Sequence, residues 1–201
     1  LYEGILEELK NMLSDDSISE IQWQKKIINI LILLYPKYLG IFPKISFTSL
    51  GQHRELDYVA IDNEGNIDII EIKKASIGSL LRKRQYRNNY IPTKELEGAI
   101  VQCEKYLYLL KSNKEEIEKN FNKALSNKIG NLQIKLVNPQ SIIIAGRSDK
   151  NNKNEKEDLE IIKKMHKNIS EILTYDDIIL RLTNSINCIK SENLCDTDSS
   201  N

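Results

Sequence analysis

The stretch that decides the fold is Arg54-Glu55-Leu56-Asp57-Tyr58-Val59-Ala60-Ile61-Asp62-Asn63-Glu64-Gly65-Asn66-Ile67-Asp68-Ile69-Ile70-Glu71-Ile72-Lys73. Glu55–Ile61 and Ile67–Lys73 are rich in Ile, Val and Tyr, as strands are, and Asp62-Asn63-Glu64-Gly65-Asn66 between them has the residues of a hairpin loop. Side chains of a strand alternate faces, so Glu71 and Lys73 point the same way. Folding about Glu64 sets Asp57 opposite Glu71 and Glu55 opposite Lys73, with Val59/Ile69 and Ile61/Ile67 below them on that face. The other face carries Leu56, Tyr58, Ile70 and Ile72. Both faces are mostly apolar. The hairpin is expected to be buried on both sides, with charge gathered at one end of one face.

Two carboxylates opposed across strands repel, and burial strips each of its water. A divalent cation between them turns that repulsion into a ligand set. Mg²⁺ takes oxygen ligands, commonly one or two carboxylates completed by water and substrate phosphate. Asp57 and Glu71 would supply the carboxylates, and the Ile72 carbonyl a third oxygen. The Lys73 ammonium beside them suits holding a water and stabilising charge that develops on phosphorus. A plainer reading makes Glu55, Lys73 and the loop acids solvated pairs on an exposed strand. The isoleucines on both faces argue against it.

Outward from the hairpin, Leu1–Leu13 repeats apolar residues at helical spacing, through Ile5, Leu9 and Leu13. A second helix is expected over about Ile18–Tyr35, stopped by Pro36, and a further strand near Ile41–Thr48. Lys74–Tyr90 is a basic stretch. Thr93 is placed to cap a long helix over about Lys94–Leu125. After Gly130 come two expected strands, Leu132–Val137 and Ser141–Ala145, then a charged loop at Lys150–Lys156. A helix near Leu159–Asn168, a strand at Ile169–Leu173 and a helix from Asp176 to about Ser185 complete the order. The sum is one α/β domain, a central mixed sheet flanked by helices. Residues 1–16 form an N-terminal helix, 17–189 the domain proper, and 190–201 a polar tail expected to be disordered. The chain starts at Leu1 rather than Met, which leaves room for an upstream region.

At 201 residues the chain can bury a core without disulfides or metal staples. Cys103, Cys188 and Cys195 make an odd set without CxxC spacing, which fits a reducing cytoplasm better than a secreted frame. Only His53 and His166 are present, so a His-rich zinc site is excluded, and no G-x-S-x-G elbow points to a serine hydrolase. The longest apolar stretch, Ile27–Tyr35, falls far short of the roughly 20 residues that span a bilayer, so no membrane partner is expected. Lys plus Arg and Asp plus Glu both total 29, for zero net charge. That excludes a surface that attracts nucleic acid everywhere, and leaves room for a local basic patch.

Three further groups have two readings each. Glu20, in the helix before the strands, is in reach of the same cation, yet Ser17-Ile18-Ser19-Glu20 also reads as a capping box. Gln102 and Tyr106, four apart, share a helix face and suit contact with a phosphate or bracing of the carboxylates; Ala99, Cys103 and Leu110 instead suggest packing. Arg82-Lys83-Arg84-Gln85-Tyr86-Arg87 is the most basic run. Such runs are usually solvated, but Arg82, Lys83, Arg84 and Arg87 follow the Lys73 strand end and suit contact with a nucleic-acid backbone.

Taken together these pieces resemble the PD-(D/E)XK nuclease superfamily, and more closely the Shedu-type anti-phage nuclease domain. The resemblance runs from about Ser17 to Leu182. It is carried by Glu20 and Trp23-Gln24, Arg54 through Tyr58, Glu71-Ile72-Lys73, Tyr90 through Leu96, Ala99 through Gln102 to Tyr106, Ile142 through Arg147, and Thr174 through Ile178. It implies a restriction-endonuclease-like fold, Mg²⁺ or Mn²⁺ bound by Asp57 and Glu71, a catalytic Lys73, and Glu20 as a further acid. It matches Gln102 and Tyr106 to a Q-x-x-x-Y element. It also implies DNA as substrate, phage defence as role, and a homo-oligomer, with no small-molecule cofactor. Leu56 stands where such motifs usually have Pro, and no sensor domain is recognisable ahead of the nuclease part. The alternative is a module with a nuclease-like fold that grips DNA ends or a partner without cutting.

Overall fold

The computed structural model describes residues 2–15 and 17–197, the last six as backbone alone. Its centre is a five-stranded sheet in the order β1 (Tyr38–Ser49), β2 (Gln52–Asp62), β3 (Ile67–Ile72), β4 (Ser141–Ile144), β5 (Ile169–Leu173). The first three strands are antiparallel neighbours; β3, β4 and β5 run parallel. Two tight turns enforce the antiparallel half. Leu50 and Gly51, at φ 50° and 72°, join β1 to β2 in the double left-handed geometry that matches strand twist. In the next loop Asp62 Oδ1 accepts from the amides of Glu64 and Asn66 at 2.9 and 2.8 Å. Gly65 is required there: its φ is 85°, and a Cβ would stand 2.0 Å from the Gln133 carbonyl oxygen.

Six helices among the described residues cover the sheet. On one face α1 (Tyr2–Leu13), α2 (Glu20–Leu34) and α6 (Tyr175–Thr197) pack Leu9, Trp23, Ile27 and Ile178 against Tyr58, Ala60, Ile70 and Ile142. On the other, α3 (Lys94–Ser112), α4 (Lys114–Ile129) and α5 (Lys153–Lys164) pack Cys103, Leu107, Phe121 and Leu159 against Val59, Ile61, Ile69 and Ile143. The mixed sheet flanked by helices is the architecture expected. Cys103 is buried and Cys188 exposed, both free thiols.

Several boundaries differ from expectation. The single helix over Lys94–Leu125 is two, bent at Asn113 (φ −139°, ψ 52°). A straight helix of that length would run about 48 Å, well past a sheet of five strands spaced ~4.8 Å apart. The bend instead lets Leu110 and Phe121 enter one core. Leu132–Val137 is not a strand. Its buried backbone is satisfied by α4 side chains, with Asn122 Oδ1 accepting from the Ile134 amide at 2.7 Å and Glu118 Oε1 from Leu136 at 2.6 Å. Helix α5 begins inside the segment expected to be a loop, because Asn152 and Glu155 form a capping box. Helix α6 continues to Thr197, through the first part of the expected tail; residues 198–201 lie outside the described residues.

Candidate active site

The site forms where β2 and β3 part. Their ladder pairs Ile61 with Ile67, Val59 with Ile69 and Tyr58 with Ile70, the register read from the sequence. One step further, Asp57 would face Glu71, but here regular pairing ends. The Asp57 carboxylate fills the gap, with Oδ2 3.5 Å from the Ile72 amide nitrogen. On the other side of β2, β1 kinks. Lys44, between the pairs Pro43–Tyr58 and Ile45–Leu56, has φ 55°, a left-handed conformation that costs a non-glycine residue energy. It sends the Lys44 ammonium to 3.3 Å from Asp57 Oδ1 and 3.5 Å from Glu55 Oε1. The same irregularity turns Leu56 into the core of Val59 and Ile69, not onto the face of Tyr58 and Ile70 as expected. Glu55 lies across from Ser46 and pairs with Lys44 rather than Lys73.

Glu71 is 2 % exposed, an acid in the middle of the sheet. Burial raises its affinity for a proton, and nearby Asp57 raises it further. Lys73 Nζ lies 2.6 Å from Glu71 Oε1, an ion pair. The ammonium takes one lone pair of that oxygen, and no other group among the described residues hydrogen-bonds the carboxylate, so it keeps further lone pairs. Burial alone would loosen the proton on Lys73, but Glu71, Glu20 and Asp57 outweigh it and hold the ammonium protonated above its usual range.

Helix α2 contributes two groups. The capping box is made by Ser19 and Gln22, whose Oε1 accepts from the Ser19 amide at 2.9 Å. Ser17 bonds Asp15 instead, so the box expected between Ser17 and Glu20 is absent and Glu20 is not spent on a cap. Its charge acts on both Glu71 and Lys73. One turn on, Gln24 Nε2 donates to Asp57 Oδ2 at 3.2 Å and to the Ile72 carbonyl at 3.4 Å. The amide therefore stands where two of the three expected oxygen ligands converge.

On α3, Gln102 Nε2 donates to the Tyr106 hydroxyl at 3.0 Å. The pair bonds internally and makes no hydrogen bond to the carboxylates, although burial, with Glu71 and Asp57 nearby, helps keep Tyr106 protonated. Of the basic run, Arg82 is tied down, Nε to the Pro92 carbonyl at 2.7 Å and Nη2 to Glu97 at 2.6 Å. Lys83, Arg84 and Arg87 are exposed on an arm that closes at Tyr86–Asn89, with Arg87 and Asn88 in a left-handed turn.

Lys44 and Gln24 were not picked out as site residues from the sequence. A lysine in an alternating strand looks solvent-facing until its backbone is known to kink. Gln24 had a signal, since it lies four residues after Glu20 and so on the same helix face.

The donor set fits a hard cation. Among the described residues no three His, Cys, Asp or Glu side chains cluster to hold a metal. Two carboxylates, one of them buried and bonded by Lys73 alone among the described residues, and the Ile72 carbonyl match the partial set that Mg²⁺ takes from proteins.

Fold and site together define an α/β protein with an acidic pair and a lysine at the end of a buried hairpin. Residues 17–179 match the family described as Shedu protein SduA, C-terminal, and the chain belongs to that family. Membership points to a role in anti-phage defence. No curated protein matches the chain.

Proposed function

We propose that this domain is a DNA endonuclease or nickase of the PD-(D/E)XK type, dependent on Mg²⁺ or Mn²⁺ and acting in the cytoplasm in defence against phage. One observation carries the reading: the Glu71 carboxylate is 2 % exposed with Asp57 nearby, and its one side-chain partner among the described residues is Lys73, 2.6 Å away. Burying one acid near another costs stability, and the cost makes sense if their oxygens serve a ligand. Asp57, Glu71 and the Ile72 carbonyl would hold the cation. Bound there, it would polarise a phosphodiester and make water a better nucleophile.

The chain's own groups do the rest. Lys73 stays protonated, so it acts as a hydrogen-bond donor and a fixed positive charge toward water and phosphate oxygens, not as a base. Glu20 adds a negative charge that keeps it so. Gln24 must yield its hold on Asp57 and Ile72, or turn its amide oxygen inward, as the cation enters. Lys83, Arg84 and Arg87 would contact the DNA backbone.

The test is cutting of supercoiled and linear plasmid by the purified protein with Mg²⁺ or Mn²⁺. Cutting should stop in EDTA and fall by about 10²-fold or more in Lys73→Ala and Asp57→Ala. Undiminished cutting by both variants would refute the assignment. A second reading has its own support. Lys44 and Lys73 already pair with Asp57 and Glu71, so the acids are compensated without a cation, as in a module that binds DNA but does not cut. Metal-independent DNA binding without cleavage is its signature.

A further inference from the structure

Lys44 is left-handed in the middle of β1, whereas the other non-glycine residues of that conformation among the described residues lie in turns and bends. β1 is an edge strand, and Pro43, just before the kink, has no N–H to give to a ladder, which suits an edge or an irregularity. The conformation is costly for a lysine and not for a glycine. What stands there is nevertheless a long cation, set across from Asp57 by the pairs Pro43–Tyr58 and Ile45–Leu56.

Both oxygens of Asp57 are engaged. Oδ1 meets Lys44 Nζ at 3.3 Å, and Oδ2 accepts from Gln24 Nε2 at 3.2 Å. The two holds differ in how readily they part. Gln24 is 5 % exposed and also bonds the Ile72 carbonyl. The Lys44 side chain is 53 % exposed and has a second acid at hand, Glu55 Oε1 at 3.5 Å. Glu55 is itself half exposed and has no other basic partner among the described residues. The Lys44 ammonium can therefore leave Asp57 without opening the core and without losing a counter-charge.

We infer that Lys44 is a tethered cation that neutralises Asp57 in the metal-free protein and passes to Glu55 when a divalent cation takes the carboxylate. Lys44 is thus a positioning residue, acting on the cation through Asp57. The inference rests on the cation-dependent reading of the site and names what tunes it. A cation on either Asp57 oxygen shares the carboxylate with the ammonium, and like charges that close repel. The ion pair lowers the affinity of the site, and Glu55 lessens that penalty by receiving Lys44. Exposed pairs are individually weak, so each effect is a few fold rather than orders of magnitude.

The test is Mn²⁺ binding to the full chain by titration calorimetry without DNA, which reads affinity and not cutting. Asp57→Asn/Glu71→Gln is the blank for binding elsewhere. Lys44→Gly suits the left-handed backbone and removes the ammonium, and Lys44→Gln removes the charge while keeping a long side chain. Both should bind Mn²⁺ about threefold or more tightly than the parent; should Lys44→Gln fail to fold, Lys44→Gly alone decides. Glu55→Gln should bind about threefold more weakly. That loss should vanish when Glu55→Gln is combined with Lys44→Gly, because Glu55 acts only through Lys44. An acid that merely adds negative charge near the cation would weaken binding equally in both backgrounds, and that result, or a Glu55→Gln without effect in the parent, overturns the proposal. Lys44 variants that bind no more tightly than a parent that does bind also overturn it, and leave the cation site itself standing. Binding by Lys44→Gly and not by the parent is the expected result at larger size. If neither binds, the cation reading and this inference fall together.

Discussion

Glu71 is the residue at which stability and function conflict. Its proton affinity is raised by burial and by Asp57, so the folded state holds that proton to higher pH than the unfolded chain. The linked stability is fully present below the ordinary carboxyl value of 4.5 and is lost as pH rises through the raised value. Glu71→Gln, which is neutral at every pH, escapes that loss. The variant should melt at a higher temperature than the parent near neutral pH, the difference closing below pH 4.5, while cutting is abolished. Thermal melts of both proteins from pH 4 to 8 decide it. A variant less stable than the parent throughout would mean that the Lys73 pair outweighs burial. The Glu71–Lys73 pairing on one strand was legible from the two-residue spacing. The Asp57–Lys44 pair was not, because Lys44 has a left-handed backbone, a conformation that no sequence periodicity encodes.

At the scale of elements, the basic arm between Leu81 and Pro92 divides the labour of its charges. Arg82 braces the base of the arm against Glu97, whereas Lys83, Arg84 and Arg87 face solvent. Each phosphate contact contributes roughly 0.9 to the slope of log affinity against log salt on duplex DNA. Replacing Lys83, Arg84 and Arg87 together by alanine should reduce that slope by up to about 2.7 and weaken DNA binding, with the melting temperature nearly unchanged. Fluorescence anisotropy at several salt concentrations measures it; an unchanged slope would move the DNA path elsewhere. Helix boundaries were the less legible part. Asn152 and Glu155 carry a capping box in plain view within a run that composition made look like a loop. Leu132–Val137 alternates like a strand but receives its hydrogen bonds from Asn122 and Glu118, a choice made by α4 after it docks.

For the whole molecule, the site sits at the junction of two cores. Asp57 and Glu71 come from the sheet, Glu20 and Gln24 from a helix on one face, Gln102 and Tyr106 from a helix on the other. A cation binding only the folded arrangement would tie these layers together. At 100 times its dissociation constant such a ligand adds about 2.7 kcal/mol, or roughly 5–10 °C in melting temperature for a domain of this size. Mg²⁺ or Mn²⁺ should raise the melting temperature of the parent, and not that of Asp57→Asn/Glu71→Gln. An equal rise in both would place the cation elsewhere. The resemblance further implies self-assembly, which the solution mass, read as a multiple of the 23.2 kDa chain, tests directly.

The sequence by itself determined the hairpin register, the burial of both its faces and the common direction of Glu71 and Lys73. Those follow from alternation and from turn residues, which act over a few positions. Only the tertiary structure decided that Lys44 kinks toward Asp57 and that Gln24 spans Asp57 and Ile72. Each brings together groups 13 to 48 residues apart in the chain. Contacts at such separations are fixed by how whole layers pack, and local pattern does not reach them.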